Sequence, residues 1–199
     1  MSEDRNGKTY SFDVCSQCKL ICCQDANPPL TLNRKKILRE YVKEQKVPVQ
    51  TLFAGEEYSH PAADANGICV FYNKETRKCR VHPVKPETCR AGPVTFDINL
   101  KTRKVEFYLK KNEICALAQT LYENKEPFRE HLEVAKAEIL RLICELDAEA
   151  LKTILKIPEP QTFKIDENEL PKEVIKKLGI SAPGSFFATI YKLSSDTTN

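Results

Sequence analysis

The chain has 199 residues, 41% hydrophobic and 30% charged, which is enough apolar content for a buried core and too ordinary a balance for wholesale disorder. Its net charge of +3 comes from 31 basic and 28 acidic residues interleaved along the chain, so no basic stripe for nucleic acid emerges. Met1–Tyr10 is polar and lacks the apolar core of a secretory signal, and the longest nearly apolar run, Ile139–Leu146, is broken by Arg141 and Glu145. That run is far short of the roughly 20 residues that cross a bilayer. The expectation is a cytoplasmic chain with no membrane and no nucleic-acid partner, in a reducing setting that disfavours stable disulfides.

The nine cysteines then become the question. Residues 8–13 alternate enough to predict a short strand leading into the first group, Cys15-x2-Cys18-x3-Cys22-Cys23. On a helix Cys15, Cys18 and Cys22 share a face; on a loop the x2 spacing lets two thiolates reach one ion. Cys22 and Cys23 are adjacent, so their side chains diverge and suit two metals, or one ligand and one supporting position. Asn27-Pro28-Pro29 breaks the chain, and Thr31 reads as the N-cap of a helix to about Lys46, with Leu32, Ile37, Leu38 and Tyr41 on its apolar side. Pro48 ends it, and residues 54–67 read as a loop.

Cys69, Cys79 and Cys89 follow at equal intervals of nine intervening residues. Cys69–Cys79 predicts a hairpin with residues 73–78 at its tip and a cysteine near each end. Pro83, Pro86 and Pro93 keep the next stretch irregular, a setting for a loop-borne Cys89. Val94–Leu100 and Arg103–Leu109 form a second hairpin around Lys101-Thr102, with Val94, Phe96 and Ile98 facing Val105, Phe107 and Leu109. Pro127 opens the strongest helical pattern, in which Phe128, Leu132, Ala135, Ile139, Leu142 and Leu146 recur at steps of three and four. A helix over Ala148–Lys156, another near Pro171–Leu178, a strand over Ser185–Lys192 and a frayed end from Ser194 complete the reading. The fold class is α+β: a small, irregular, metal-stabilised cysteine-cluster domain over residues 1–119 with short hairpins, then a mainly helical C-terminal extension over 120–199.

Thiols grouped in this way read as metal ligands before they read as bridges, and no βαβ alternation supports a thioredoxin-like pair. Cys15-x2-Cys18-x3-Cys22-Cys23, Cys69-Val70-Phe71, Cys79 and Pro86-Glu87-Thr88-Cys89-Arg90 together resemble the YkgJ-type cysteine-cluster proteins, the CxxCxxCC zinc- or iron-chelating domain family. The resemblance covers roughly residues 15–118 and implies a further downstream cysteine, which Cys115 matches. It departs from the usual pattern in three places. Lys19-Leu20-Ile21 separates Cys18 from Cys22 where two residues are usual, Lys85 stands where Arg precedes Pro86, and His82 stands where Tyr is common.

The metal ligands implied are Cys15, Cys18, Cys22, Cys23, Cys69, Cys79, Cys89 and Cys115. Spacings of x2 then x3 resemble part of a ferredoxin run, whereas zinc ribbons carry two separated x2 pairs. The cofactor favoured is therefore an iron–sulfur cluster of the 4Fe-4S type, with zinc as the alternative. Three functions compete: a redox or accessory metal protein of unknown substrate, an iron–sulfur methyltransferase-related enzyme resembling flagellin lysine N-methylases, and a structural zinc module for an unknown protein partner. No catalytic residue is assigned, and no glycine-rich nucleotide loop is visible. Lys78, Arg80, Lys85 and Arg90 lie beside the thiolates in sequence, as counter-charges or as solvated surface groups. His82 reads as structural beside so many thiols, and His60 and His131 show no ligand spacing. Cys144 sits inside the long helical pattern as a small apolar residue. Replacing it with Ala should leave metal content per chain unchanged and cost on the order of 1 kcal/mol, read by elemental analysis beside urea unfolding.

Overall fold

Thr31 opens the first described helix as its N-cap: its hydroxyl accepts the Arg34 amide at 3.0 Å, and helix α1 runs Leu32–Glu44. The structure, a computed structural model, describes residues 22–158 and 161–180. The strand expected over 8–13, the expected ligands Cys15 and Cys18, the strand expected over 185–192 and the chain end from Ser194 lie outside the described residues. The buried face of α1 is Arg34, Leu38 and Val42, at steps of four, whereas Leu32 is 80% exposed. The apolar side expected for this helix was therefore partly misassigned. Leu32 stands two residues from Arg34, so it projects from the opposite face.

Between α1 and the second hairpin the chain is held by short pairings. Strands β1 (Phe53–Ala54) and β2 (His60–Pro61) pair antiparallel within the segment expected to be a loop. Residues 23–25 lie against residues 67–69: the Cys69 amide donates to the Cys23 carbonyl and the Asp25 amide to the Gly67 carbonyl, each at 2.8 Å. Asp64 closes the turn that makes this possible, its Oδ1 accepting the Asn66 amide at 2.9 Å and the Ile68 amide at 3.0 Å. Gly67 sits in that turn at φ +73°, and a Cβ there would collide with the Asp25 carboxylate. Strands β3 (Tyr72–Asn73) and β4 (Lys78–Cys79) form the first hairpin, with Tyr72 opposite Cys79. The Asn73 side chain folds its tip by accepting the Glu75 and Thr76 amides at 2.9 and 3.0 Å.

A 3-10 turn over His82–Val84 leads to helix α2, Glu87–Ala91, so Cys89 is carried by a short helix where an irregular segment was expected. Strands β5 (Val94–Asn99) and β6 (Lys104–Lys110) make the second hairpin in the expected register, and β7 (Thr162–Glu169) adds to the β6 edge. Strand β7 had no counterpart in the sequence reading. Helices α3 (Ala116–Glu123), α4 (Lys125–Glu145), α5 (Ala148–Ile154) and α6 (Lys172–Lys177) follow; Asp147 caps α5 through the Ala150 amide at 2.8 Å.

The main core joins Ala91, Val94, Val105, Phe107 and Leu109 to Ala135, Ile139, Ile143, Leu151 and Val174. A second core, Leu30, Leu38, Val42, Phe71 and Val81, lies under the cysteine-bearing segments, and Cys69 and Cys79 pack against it. Arg34 is buried between two carboxylates, 3.4 Å from Glu87 and 2.7 Å from Glu138, and so links α1, α2 and α4. Gly67→Ala should lower stability by about 1–2 kcal/mol, the cost of a left-handed backbone for a residue with a Cβ. Urea midpoints of the two proteins would read this difference, and an unchanged midpoint would show that residues 23–25 and 67–69 do not rely on that turn.

Candidate metal centre

The site is assembled by backbone before it is assembled by side chains. Pairing of residues 23–25 with 67–69, with Ala63 bridged to Cys69 on the other side, puts the end of the first cysteine group beside the start of the second. The β3–β4 hairpin returns the chain so that Cys79 lies opposite Tyr72, three residues after Cys69. Helix α2 then presents Cys89 outward, with Glu87 and Ala91 on its buried side.

Five thiols consequently influence one another. The Cys22 and Cys23 thiols share a hydrogen bond, so they meet where adjacency predicts divergence, and Cys22 is close enough to Cys69, Cys79 and Cys89 to raise the pKa of each. Cys69 and Cys79 are raised first by burial, and amides partly offset this: Phe71 and Tyr72 for Cys69, Val81 for Cys79. Cys89 keeps part of its surface accessible, yet the protein packed around it desolvates the thiol and pushes it up to about 12. Within the adjacent pair one proton is shared: the Cys23 thiol donates to Cys22, which lowers Cys22 below the ordinary thiol range and raises Cys23.

Cations answer this accumulation of sulfur. Lys85 favours the thiolate forms of Cys22, Cys79 and Cys89, and Lys110, at the end of β6, also favours that of Cys22. Lys85 was among the neighbours noted in the sequence. Lys110 was not, because it reaches the site through the sheet, where its amide donates to the Pro93 carbonyl at 3.2 Å. His82 is lowered by burial and then by Lys85, Arg90 and Lys78, which marks the cationic character of the same neighbourhood. His131, set aside in the sequence for want of ligand spacing, supports α2 instead: its Nε2–H donates to the Ala91 carbonyl at 2.9 Å, at the end of that helix.

Cys115 stands as the N-cap residue of α3, its amide on the Lys111 carbonyl at 3.0 Å and its side chain against the main core. Cys144 packs on the flank of the same core, where burial and a hydrogen bond with Glu173 raise it to about 11. Among the described residues no three Cys, His, Asp or Glu side chains already form a metal-holding group. The five thiols are neighbours, and Cys15 and Cys18 lie outside the described residues.

The donor chemistry fits a thiophilic metal. Thiols crowded together resist ionising in one another's field, and a bound cation reverses that balance by taking the thiolate as its ligand. Zinc or an iron–sulfur cluster is the match for an all-sulfur donor set, where hard oxygen-seeking ions are not. Among the described residues no helix is long and apolar enough to cross a membrane.

Comparison with known families agrees with the donor set. The model of the CxxCxxCC family, described as a "Putative zinc- or iron-chelating domain", matches residues 14–116, just over half of the chain. No curated protein and no solved structure matches.

In metal-free, reduced protein Cys22 should be the first of the five to alkylate as pH rises, because its thiolate forms below the ordinary thiol range. Cys69, Cys79 and Cys89 should follow only at higher pH. Cys23→Ala removes the donor and should move the Cys22 profile to higher pH. Peptide-resolved mass spectrometry after pulses of iodoacetamide checks both, and labelling of Cys89 before Cys22 would contradict the arrangement.

Proposed function

We propose that this chain, which belongs to the CxxCxxCC family, holds an iron–sulfur cluster of the 4Fe-4S type and serves a redox or accessory role. The observation that supports this reading is the meeting of two separate cysteine groups, Cys22 and Cys23 with Cys69, Cys79 and Cys89, in one electrostatic neighbourhood. Cys15, Cys18, Cys22, Cys23, Cys69, Cys79, Cys89 and Cys115 are the residues that would hold the metal. When bound, such a cluster supplies one-electron transfer, whereas zinc in its place would supply a cross-link.

The chain's own residues have definite tasks in this reading. Lys85 and Lys110 offset the negative charge of the thiolates. Cys69, Cys79 and Cys89 give up protons on ligation, since each is held protonated at neutral pH in the metal-free state. Among the described residues, those after 119 form an extension whose α4 packs on β5 and β6 of the cysteine-bearing domain.

Anaerobic purification with iron, sulfide and zinc analysis and a visible spectrum tests the assignment. Iron with matching sulfide and a broad visible absorption that dithionite bleaches is the expected result. Colourless protein with stoichiometric zinc would replace the cluster by a structural zinc site, and protein that takes up neither would overturn the metal reading.

Metal and fold should be coupled. The hairpins of this region have two-residue strands, marginal without a cross-link, and metal binding to a small thiolate site is worth on the order of 10 kcal/mol. Hydrogen exchange should show residues 69–89 losing protection on metal removal while β5, β6 and α4, packed together in the main core, keep much of theirs. Equal protection with and without metal would mean that the fold does not need the site.

A further inference from the structure

A metal centre depends on how firmly its ligands are held, and Cys89 rides on the shortest of the described α-helices. α2 has five residues, too few to be stable alone, and its N-cap, Pro86, makes no side-chain capping bond. At about 100° per residue Glu87 and Cys89 project on opposite sides of it. Glu87 is completely buried while Cys89 is exposed, so whatever fixes the inner face of α2 also fixes the thiol on its outer face.

That inner face is held by ion pairs. Glu87 Oε1 accepts the Thr31 hydroxyl at 2.8 Å and lies 3.4 Å from Arg34 Nε. Arg34 turns its Nη2 to Glu138 Oε2 at 2.7 Å, and Glu138 Oε1 lies 3.3 Å from Arg90 Nε. Arg141 adds contacts at 3.2 Å to both Glu138 oxygens. The residues two before and one after Cys89 are therefore tied into one network, Glu87 through Arg34 and Arg90 directly, and Glu138 is where the two ties meet. Glu87 Oε2 is buried without a hydrogen-bond partner among the described residues, so Arg34 is the cation that compensates this carboxylate.

We infer that Glu138, on α4 and outside the segment the family model matches, is a positioning residue for the metal centre, acting through Arg34 and Arg90 on the placement of Cys89. This rests on the metal reading above. Supporting partners of metal ligands typically carry a tenfold to hundredfold share of metal affinity. Glu138→Gln keeps the shape of the side chain and removes its charge. It releases the Arg90 tie and leaves Arg34 with one carboxylate.

The test uses the full chain, metal-free and reduced, titrated with cobalt(II) and then competed with zinc(II). Glu138→Gln should weaken cobalt binding by about 10- to 100-fold and alter the thiolate-to-cobalt charge-transfer band. Val174→Ala, which opens a fully buried position of the main core on α6, should lower stability and leave both cobalt readouts near wild type. Should Glu138→Gln fail to fold, Arg34→Lys retains the charge but cannot span both carboxylates, and should shift the band and the affinity in the same direction.

Wild-type affinity and spectrum in Glu138→Gln, or an equal loss in Val174→Ala, would overturn the positioning role while leaving the metal reading intact. If neither network variant folds while Val174→Ala does, the network is a requirement of the fold and the positioning role is overturned. Wild-type protein that binds neither cobalt nor zinc would overturn the metal reading and this inference together.

Discussion

Two backbone hydrogen bonds decide what this molecule can do: the Cys69 amide on the Cys23 carbonyl and the Asp25 amide on the Gly67 carbonyl. They join segments more than forty residues apart, so the entropy of closing that loop opposes them. The Asp64–Gly67 turn offsets part of the cost locally, because Asp64 binds the Ile68 and Asn66 amides and Gly67 adopts a conformation that a Cβ would resist. The second core supports the same geometry from beneath, with Phe71 and Val81 from the cysteine segment against Leu38 and Val42 of α1. With this register in place, the remaining cysteines of the second group are delivered by a tight hairpin and one short helix.

The electrostatic consequence of that assembly is a region that opposes its own ionisation. Burial and mutual repulsion keep Cys69, Cys79 and Cys89 protonated, while the hydrogen bond from Cys23 favours the Cys22 thiolate. Lys85 and Lys110 soften the field without reversing it. A protein built only for stability has no use for this arrangement, since apolar side chains of similar size would fill the space without the desolvation cost. Thiols are the group whose proton a soft cation displaces, so the arrangement is costly in the metal-free state and favourable in the metal-bound one.

Local chemistry made part of this legible in the sequence. Thr31 before α1 and the alternation of β5 and β6 act over a few residues, and α4 announced its buried stripe through Leu132, Ala135, Ile139 and Leu142. Non-local features left no such trace. β7 contains Asp166, Glu167 and Glu169 with Phe163 and Ile165 as its apolar residues, and it is a strand because the β6 edge offers it partners. The prolines around Cys89 argued for irregular chain, yet Pro86 stands at the N-cap of α2, where its missing amide costs the helix nothing. Arg34 drew no notice in the sequence, since no spacing reveals that Glu87 and Glu138 close on it from two other helices. The cysteines themselves were found by clustering; that Cys22, Cys23, Cys69, Cys79 and Cys89 become neighbours follows from tertiary pairing alone.

The boundary of the family match and the boundary of the physical unit differ. The match ends at residue 116, but the main core packs Ala91, Val94 and Leu109 against Ala135, Ile139 and Ile143 of α4. Deleting everything after residue 116 would strip the β5–β6 hairpin of the face it buries and would leave Arg34 and Arg90 without Glu138. Arg34 would then keep Glu87 as its one carboxylate, at 3.4 Å, without the closer partner at 2.7 Å. α4 thus supplies both the apolar surface and the negative charge that the cysteine-bearing half lacks. The segment that carries no motif is a physical condition for the segment that does.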